Sequence, residues 1–296
     1  MRLEQRHEVD AVRIKRERRR ATGSVIHPLV VVAHMDQLQY DREGERAVLT
    51  LDNPESKNAL SVEMARGIRE AMDDVADSDA RCVVLQGAPE AFCAGGDIES
   101  MLQAVGSDAD LGTLVEEIGG PVNRTVQDIY RCSVPTIAKV DGPAYGAGAS
   151  LAVACDLVLA SERATFSFGF QKIGLSVDSG TSYLLPRLVG ENTANRLVLT
   201  DDVVDAEEAL DLGIAQRLYP TETFDERAEE VIEPIATGAT VALSNSKSLI
   251  QNGLDRSIDE AIDHEIESLQ EVFQTQDFAE GVSAFMSDRD PEFQGE

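Results

Sequence analysis

From Tyr40 onward the apolar positions of the chain switch repeatedly between two periods. Ala47–Leu51 is a short β-rich run. Ser61 then stands where a helix N-cap belongs, ahead of Met64, Ile68 and Met72 at four-residue spacing, which predicts an amphipathic helix. Arg81–Gln86 reads as a strand stopped by Gly87, and Thr136–Val140 as another. A glycine-rich stretch and a nearly chargeless helix over Ala149–Ala154 follow, and then strands over Asp156–Ala160 and Thr165–Phe168. Strands alternating with helices predict an α/β domain with parallel strands. Beyond about Phe224 the pattern becomes helical. Ile258, Ile262, Ile266, Leu269 and Phe273 recur at three- and four-residue steps, one apolar stripe on an acidic helix. Such a stripe packs either on its own domain or on another subunit, and the pattern alone leaves both open.

Length and composition narrow the class. The chain has 296 residues, 43% of them hydrophobic, which suits one large domain or a core with an appendage. No apolar run approaches the roughly 18–20 residues of a membrane span. The early run Leu29–Ala33 is also short of the ~7–15 residues of a secretory core. A cytoplasmic protein with no membrane partner is the expectation.

Charge changes the picture further. There are 54 acidic residues against 26 basic ones, a net charge of −28, and only five of the bases are lysine (15, 57, 139, 172 and 247). That field repels nucleic acid, so no nucleic-acid partner is expected. The periodicity argues against disorder, so the composition reads as a folded, lysine-poor, acidic surface suited to multimolar salt, where screening is strong. Residues 1–34 differ, with a net charge of +4 against −32 for the remainder. They are read as a disordered or mis-assigned extension preceding Met35. The expected organisation is then an extension over 1–34, a core over 35–235 and a helical oligomerisation region over 236–296.

Candidate chemistry comes partly by elimination. Cys82, Cys93, Cys132 and Cys155 show no metal-ligand spacing. His7, His27 and His34 fall within the N-terminal stretch, and His264 lies among acids, so a histidine base or a Ser-His-Asp triad is not expected. Two glycine-rich segments stand out: Ala94-Gly95-Gly96-Asp97 and Tyr145-Gly146-Ala147-Gly148. Each follows a strand and leads into a helix, whose first N–H groups lack intrahelical partners and can face an anion. Two such amides converging on one point make an oxyanion hole. A dinucleotide site is excluded, because Gly146-Ala-Gly148 lacks the third glycine of that motif.

The motifs Pro54-x-x-Lys57-Asn58-Ala59-Leu60-Ser61, Ala91-Phe-Cys-Ala-Gly-Gly-Asp-Ile98, Pro135-Thr-Ile-Ala-Lys-Val-Asp-Gly142, Gly146-Ala-Gly148 through Cys155-Asp156, and Leu188-Val-Gly190 resemble those of the enoyl-CoA hydratase/isomerase (crotonase) family. The resemblance runs in order from about Tyr40 to the C-terminus. It implies a ββα-spiral core with a C-terminal helical trimerisation region, assembled as a homotrimer or dimer of trimers, and an acyl-CoA substrate. Matched position by position, the oxyanion amides fall on Gly96 and Ala147. The positions contacting substrate or CoA fall on Lys57, Ala59, Ala94, Gly96, Asp97, Ile98 and Ala147, with Ser150 and Phe170 inside the site.

Departures from the family pattern bear on the reaction. Hydratases that resemble this chain carry two site glutamates, and the matching positions are Ser150 and Phe170. A serine without a base is a poor proton carrier, and phenylalanine carries no titratable proton. A carboxylate follows at Asp178, ahead of Ser-Gly-Thr181. Read alone, it is an N-cap aspartate or a catalytic acid–base. The resemblance favours the second, since branches with an aspartate here use it as base or nucleophile. Glu280-Gly-Val-Ser-Ala-Phe285 and Pro291-Glu-Phe293 look like the branch that isomerises ring-epoxide phenylacetyl-CoA and enoyl-CoA thioesters. The reading is an isomerase needing no metal and no cofactor beyond the coenzyme A of its substrate. A hydratase and a non-catalytic CoA-binding scaffold remain the alternatives.

The charge supplies a first prediction. Melting temperature and activity should rise between about 0.1 and 2 M KCl, because the Debye length falls to about 3 Å at 1 M. A melting temperature that stays level or falls over that range removes the high-salt reading.

Overall fold

The computed structural model describes residues 31–35, 37–105 and 110–296. Its frame is a seven-stranded sheet in the order β1-β2-β3-β4-β5-β7-β10 beside a three-stranded sheet in the order β6-β8-β9. The strands are β1 (Val31–Met35), β2 (Leu38–Glu43), β3 (Arg46–Leu51), β4 (Cys82–Gly87), β5 (Thr136–Val140), β6 (Pro143–Tyr145), β7 (Leu157–Ser161), β8 (Thr165–Ser167), β9 (Val204–Asp205) and β10 (Arg217–Tyr219). β1, β2 and β3 form an antiparallel meander. From β3 onward the large sheet is parallel, each crossover carrying helices as parallel pairing demands. The expected α/β class with parallel strands is what the chain adopts.

Between the strands lie α1 (Val62–Ala76), α2 (Ile98–Val105), α3 (Leu111–Leu114), α4 (Gly120–Tyr130), α5 (Ala147–Val153), α6 (Thr181–Val189), α7 (Glu191–Leu199) and α8 (Ala206–Asp211). The chain ends in α9 (Phe224–Ala236), α10 (Thr240–Gly253), α11 (Ile258–Val272) and α12 (Gln276–Met286). Ser61 does cap α1, its hydroxyl accepting from the Met64 N–H at 3.0 Å. The chargeless helix begins two residues earlier than its composition indicates, at Ala147, because Gly146 turns the chain directly out of β6. No described helix is long and apolar enough to cross a membrane.

Period-2 alternation divides the sheet's side chains between two cores. Ala47, Leu49 and Leu51 of β3, Val83 and Leu85 of β4, and Ala138 and Val140 of β5 face α1, where Met64, Ile68 and Met72 are buried. Their neighbours Val48, Cys82, Val84 and Ile137 face the opposite side, against Phe224, Ala228 and Ile232 of α9. Both faces are covered, as a parallel sheet requires.

Two expectations about organisation meet this frame differently. The core boundary placed at residue 35 falls inside β1, whose backbone pairs with β2 from Val31↔Arg42 to Met35↔Leu38. Strand pairing, rather than the change in charge, sets where the sheet begins; residues 1–30 lie outside the described residues. The boundary at residue 236 falls on the last residue of α9. Beyond it, Ile258, Ile262, Ile266, Leu269 and Phe273 are exposed on α11, and Phe285 and Met286 on α12. The stripe therefore leaves much of its apolar surface uncovered, although Phe273 stacks on Phe278 of α12 at 4.5 Å.

The large sheet also fixes how two loops meet. The loop after β4 lies alongside β6, with the Phe92 and Cys93 N–H groups donating to the Pro143 carbonyl at 3.0 and 3.1 Å and the Tyr145 N–H donating to the Cys93 carbonyl at 2.9 Å. At Gly148 the approach leaves no room for a side chain, since a Cβ would sit 2.3 Å from the Cys93 carbonyl oxygen. Gly148→Ala should therefore cost about 3 kcal/mol or more of stability, the upper range for overpacking, because the obstacle is main chain. A urea midpoint equal to that of the parent protein would show the loops to be more yielding.

Candidate active site

In open parallel sheets, ligands collect beyond the carboxyl ends of the strands, where the crossover loops are exposed. The loop after β4 and the β6–α5 junction both lie there, and their glycines let the main chains touch. Gly95 has φ +111°, and a Cβ on it would sit 3.1 Å from the Tyr145 carbonyl oxygen. Ala147 is the first residue of α5, so its N–H has no intrahelical acceptor. Gly96 lies in a single bridge to Leu60. Among the described residues neither amide is given an acceptor, and the two loops that carry them are in contact, which suits an oxyanion hole.

A second segment runs along this pair. Lys57 and Asn58 both take left-handed backbone conformations, φ 54° and 58°. The Lys57 carbonyl accepts from the Ala94 N–H at 3.0 Å, and the Leu60 N–H donates to the Gly95 carbonyl at 2.7 Å. Lys57, Ala59, Ala94, Gly96, Asp97 and Ile98 are thereby brought to one rim. Lys57 and Ile98 are exposed there. Asp97 is occupied, its carboxylate accepting from the Ser100 N–H at 3.1 Å and from the Ser100 hydroxyl at 2.5 Å. Asn58 emerges as the anchor of this rim. It is fully buried, and its Nδ2 donates to the carbonyls of Ala88 (3.1 Å) and Ala91 (2.8 Å). It stands inside a quoted motif, but only the fold reveals what it binds.

Ser150 and Phe170 are both buried. The Ser150 hydroxyl lies 2.5 Å from the Thr181 Oγ1 and donates to the Gly146 carbonyl at 3.2 Å, so its bonding capacity is taken up within the chain. The Phe170 ring flanks the β6–α5 turn, its Cε1 4.0 Å from where a Cβ on Gly146 would sit. Thr181 opens α6, and its N–H donates to the Asp178 carbonyl at 2.9 Å. Short contacts thus link Ala147 and its helix, through Ser150 and Thr181, to the turn that carries Asp178.

Asp178 does not cap α6, which corrects the simpler reading of this residue. The N-cap is Gly180, in the left-handed conformation at φ 72°, and no side chain bonds the helix N-terminus there. The Asp178 Oδ1 is instead buried without a hydrogen-bond partner, the one carboxylate oxygen so placed among the described residues. Burial pushes its pKa above the usual carboxylate range, against a smaller opposing effect of the adjacent Ser179. An underbonded carboxylate with a raised pKa is a candidate for proton transfer.

Two clefts flank this turn. The larger, about 850 Å³, lies between α4, α6 and α10 and is lined in part by Asn123, Tyr130, Gly180, Tyr183 and Lys247. The smaller, about 400 Å³, lies between α6 and α7 and includes Val177, Thr181 and Leu185. Asn123, which no motif singled out, reaches the turn from α4: its Oδ1 accepts from the Ser179 N–H at 2.7 Å.

Comparison with known proteins places the chain among a set of relatives. Residues 42–296 match the family model described as Enoyl-CoA hydratase/isomerase. The 1,2-epoxyphenylacetyl-CoA isomerase of Escherichia coli is 34% identical over 249 residues, covering 83% of this chain and 94% of that protein. The short-chain-enoyl-CoA hydratase of Clostridium acetobutylicum is 31% identical, covering 84% and 94%. Among solved structures, an enoyl-CoA hydratase/isomerase from Cupriavidus metallidurans superposes with a TM-score of 0.82 at 30% identity, covering 89% of this chain and 98% of that one.

The raised pKa of Asp178 makes a stability prediction. Burial favours the neutral acid, so between the ordinary and the raised pKa the folded protein holds more protons than the unfolded one. Stability therefore falls as pH rises through that interval, and the penalty persists above it. Asp178→Asn should unfold at higher temperature than the parent at neutral pH, the difference shrinking as pH falls toward about 4. A variant that melts lower at neutral pH would mean that the carboxylate is engaged in a stabilising interaction.

Proposed function

The chain belongs to the enoyl-CoA hydratase/isomerase family, and we propose that within this family it is an isomerase, shifting a double bond or opening a ring epoxide in a CoA thioester. The observation that carries the proposal is the buried, unpartnered Oδ1 of Asp178, the carboxylate oxygen among the described residues left free for a substrate proton. Ser150 and Phe170 supply no second acid or base, and the carboxylate of Asp97 is held by Ser100. Hydration needs water activated on one carbon and a proton delivered to another. Isomerisation needs one group that takes a proton and gives it back.

The mechanism for a 3-enoyl thioester follows from those groups. Asp178 removes a proton from C2; the C–H bond breaks and an O–H bond forms on the carboxylate. The electron pair moves toward the thioester, and the Gly96 and Ala147 amides receive the developing charge on its oxygen. The same acid then returns the proton at C4, leaving the double bond between C2 and C3. Desolvation of Asp178 suits both halves, because a pKa nearer neutrality improves the balance between accepting and donating a proton. Phe170 fills the place of a titratable group with an apolar ring, and water has no base there to activate it.

The exposed apolar stripe on α11, with Phe285 and Met286 on α12, supports assembly as a homotrimer or a dimer of trimers. The net charge of −28 supports work in concentrated salt.

One variant tests the mechanism. Asp178→Asn should bind acyl-CoA about as the parent does but turn over 3-enoyl-CoA ~10²-fold or more slowly, the loss expected for a general base. Crotonyl-CoA hydration by the parent should be slow beside isomerisation. Near-parental single-turnover rates in the folded variant, or rapid hydration by the parent, would overturn the isomerase reading.

A further inference from the structure

The turn that presents Asp178 is held by few contacts. Ser179 has φ 50°, a left-handed conformation that a non-glycine residue adopts only under constraint, and it is followed by Gly180 at φ 72°. Ser179 is buried, yet neither its hydroxyl nor the Asp178 Oδ1 finds a hydrogen-bond partner beyond the turn itself. Side-chain bonds from the turn therefore do not explain why it keeps this shape. Two bonds to the Asp178–Ser179 peptide do. On one side the Asp178 carbonyl accepts from the Thr181 N–H at 2.9 Å. On the other the Ser179 N–H donates to the Oδ1 of Asn123 at 2.7 Å. Asn123 is itself oriented, its Nδ2 donating to the Gly119 carbonyl one turn earlier at 2.9 Å.

We infer that Asn123 is a positioning residue for Asp178: its amide oxygen clamps the Ser179 N–H, holds Ser179 left-handed and so aims the Asp178 carboxylate into the site. The inference rests on Asp178 being the base. Without the Asn123 oxygen, the Ser179 N–H loses its partner and Ser179 is free to relax to negative φ. That rotation turns the plane of the preceding peptide and swings the Asp178 side chain with it. Helix α4 is a firm base for the clamp. Val122, Thr125, Val126 and Ile129 are buried, and the Thr125 hydroxyl donates to the Ala65 carbonyl of α1 at 3.1 Å. Asn123 itself lies on the exposed side of α4, facing the larger cleft, so replacing it removes no core packing.

The test uses the full-length enzyme with trans-3-hexenoyl-CoA and reads kcat and KM separately. Asn123→Ala should lower kcat by about 10–100-fold while KM stays within about threefold, since a misplacement near 1 Å costs on the order of 10²-fold. Adding Ser179→Gly to that variant should recover at least about tenfold, because glycine adopts positive φ at no steric cost and so needs no clamp to reach it. A merely structural role for Asn123 gives no reason for glycine at residue 179 to restore turnover. Asn123→Asp, which keeps an acceptor oxygen, should stay within about tenfold of the parent. If Asn123→Ala melts early, Asn123→Leu removes the acceptor at similar size and is read in the same way. The clamp is overturned by an unchanged kcat, by a rise in KM alone, or by a loss that Ser179→Gly leaves unrepaired. A slow Asp178→Asn beside a normal Asn123→Ala ends the positioning role alone, whereas a normal Asp178→Asn ends the base assignment and the clamp with it.

Discussion

The close approach of two main-chain segments underlies the rest of this site. Cys93–Gly96 and Tyr145–Gly148 lie against one another so closely that a Cβ on Gly148 would clash with Cys93, and they are joined by the bond from the Tyr145 N–H to the Cys93 carbonyl. Hydrogen-bond donors aimed at a developing oxyanion work only when they are fixed before the reaction, in a place water cannot reorganise. Backbone amides that follow β4, held between β3 and β5, and β6, paired with β8 and bonded to the loop after β4, meet that condition. The sheet's two covered faces, one against α1 and one against α9, supply the rigidity.

Against this rigid half stands a turn that lacks its full complement of bonds. The Asp178 Oδ1 and the Ser179 hydroxyl are buried without partners, and Ser179 is held in a left-handed conformation. Leaving buried polar groups unsatisfied costs stability, commonly about 1–3 kcal/mol each. A carboxylate already satisfied by protein donors would have a lowered pKa and little appetite for a carbon-bound proton. In the proposed mechanism, the same lack of partners that costs stability at Asp178 keeps its carboxylate available to a proton.

Much of this was legible in the residues. Short β-rich runs at Ala47–Leu51, Arg81–Gln86 and Thr136–Val140 showed the strands, and four-residue spacing after Ser61 showed α1. The glycine pairs at 95–96 and at 146 and 148 marked the loops, because small residues ahead of a helix are informative by themselves. The strand Val31–Met35 was not legible: the break in charge near residue 34 pointed to Met35, whereas Val31 already pairs with Arg42. Charge composition and strand pairing are independent properties, and the second decides where a sheet begins. The role of Asn123 was equally hidden. A single polar residue on a helix has no pattern to distinguish it until its partner, 56 residues away, is seen.

By itself the sequence determined the alternating α/β order, the acidic composition and the glycine loops, while its resemblance to a family implied that Ser150 and Phe170 stand where related hydratases carry glutamates. Those are properties of residue type and spacing, and they survive without knowledge of contacts. It left Asp178 divided between a helix cap and a base, because aspartate ahead of a helix suits either task. The tertiary structure removed the cap. Gly180 takes the cap position, and α4 reaches across to hold the turn, which leaves the Asp178 carboxylate oxygen buried with no bond from the protein. Whether a polar atom finds a partner depends on what the folded chain brings within 3 Å of it, and that distance is not written in any local stretch of sequence.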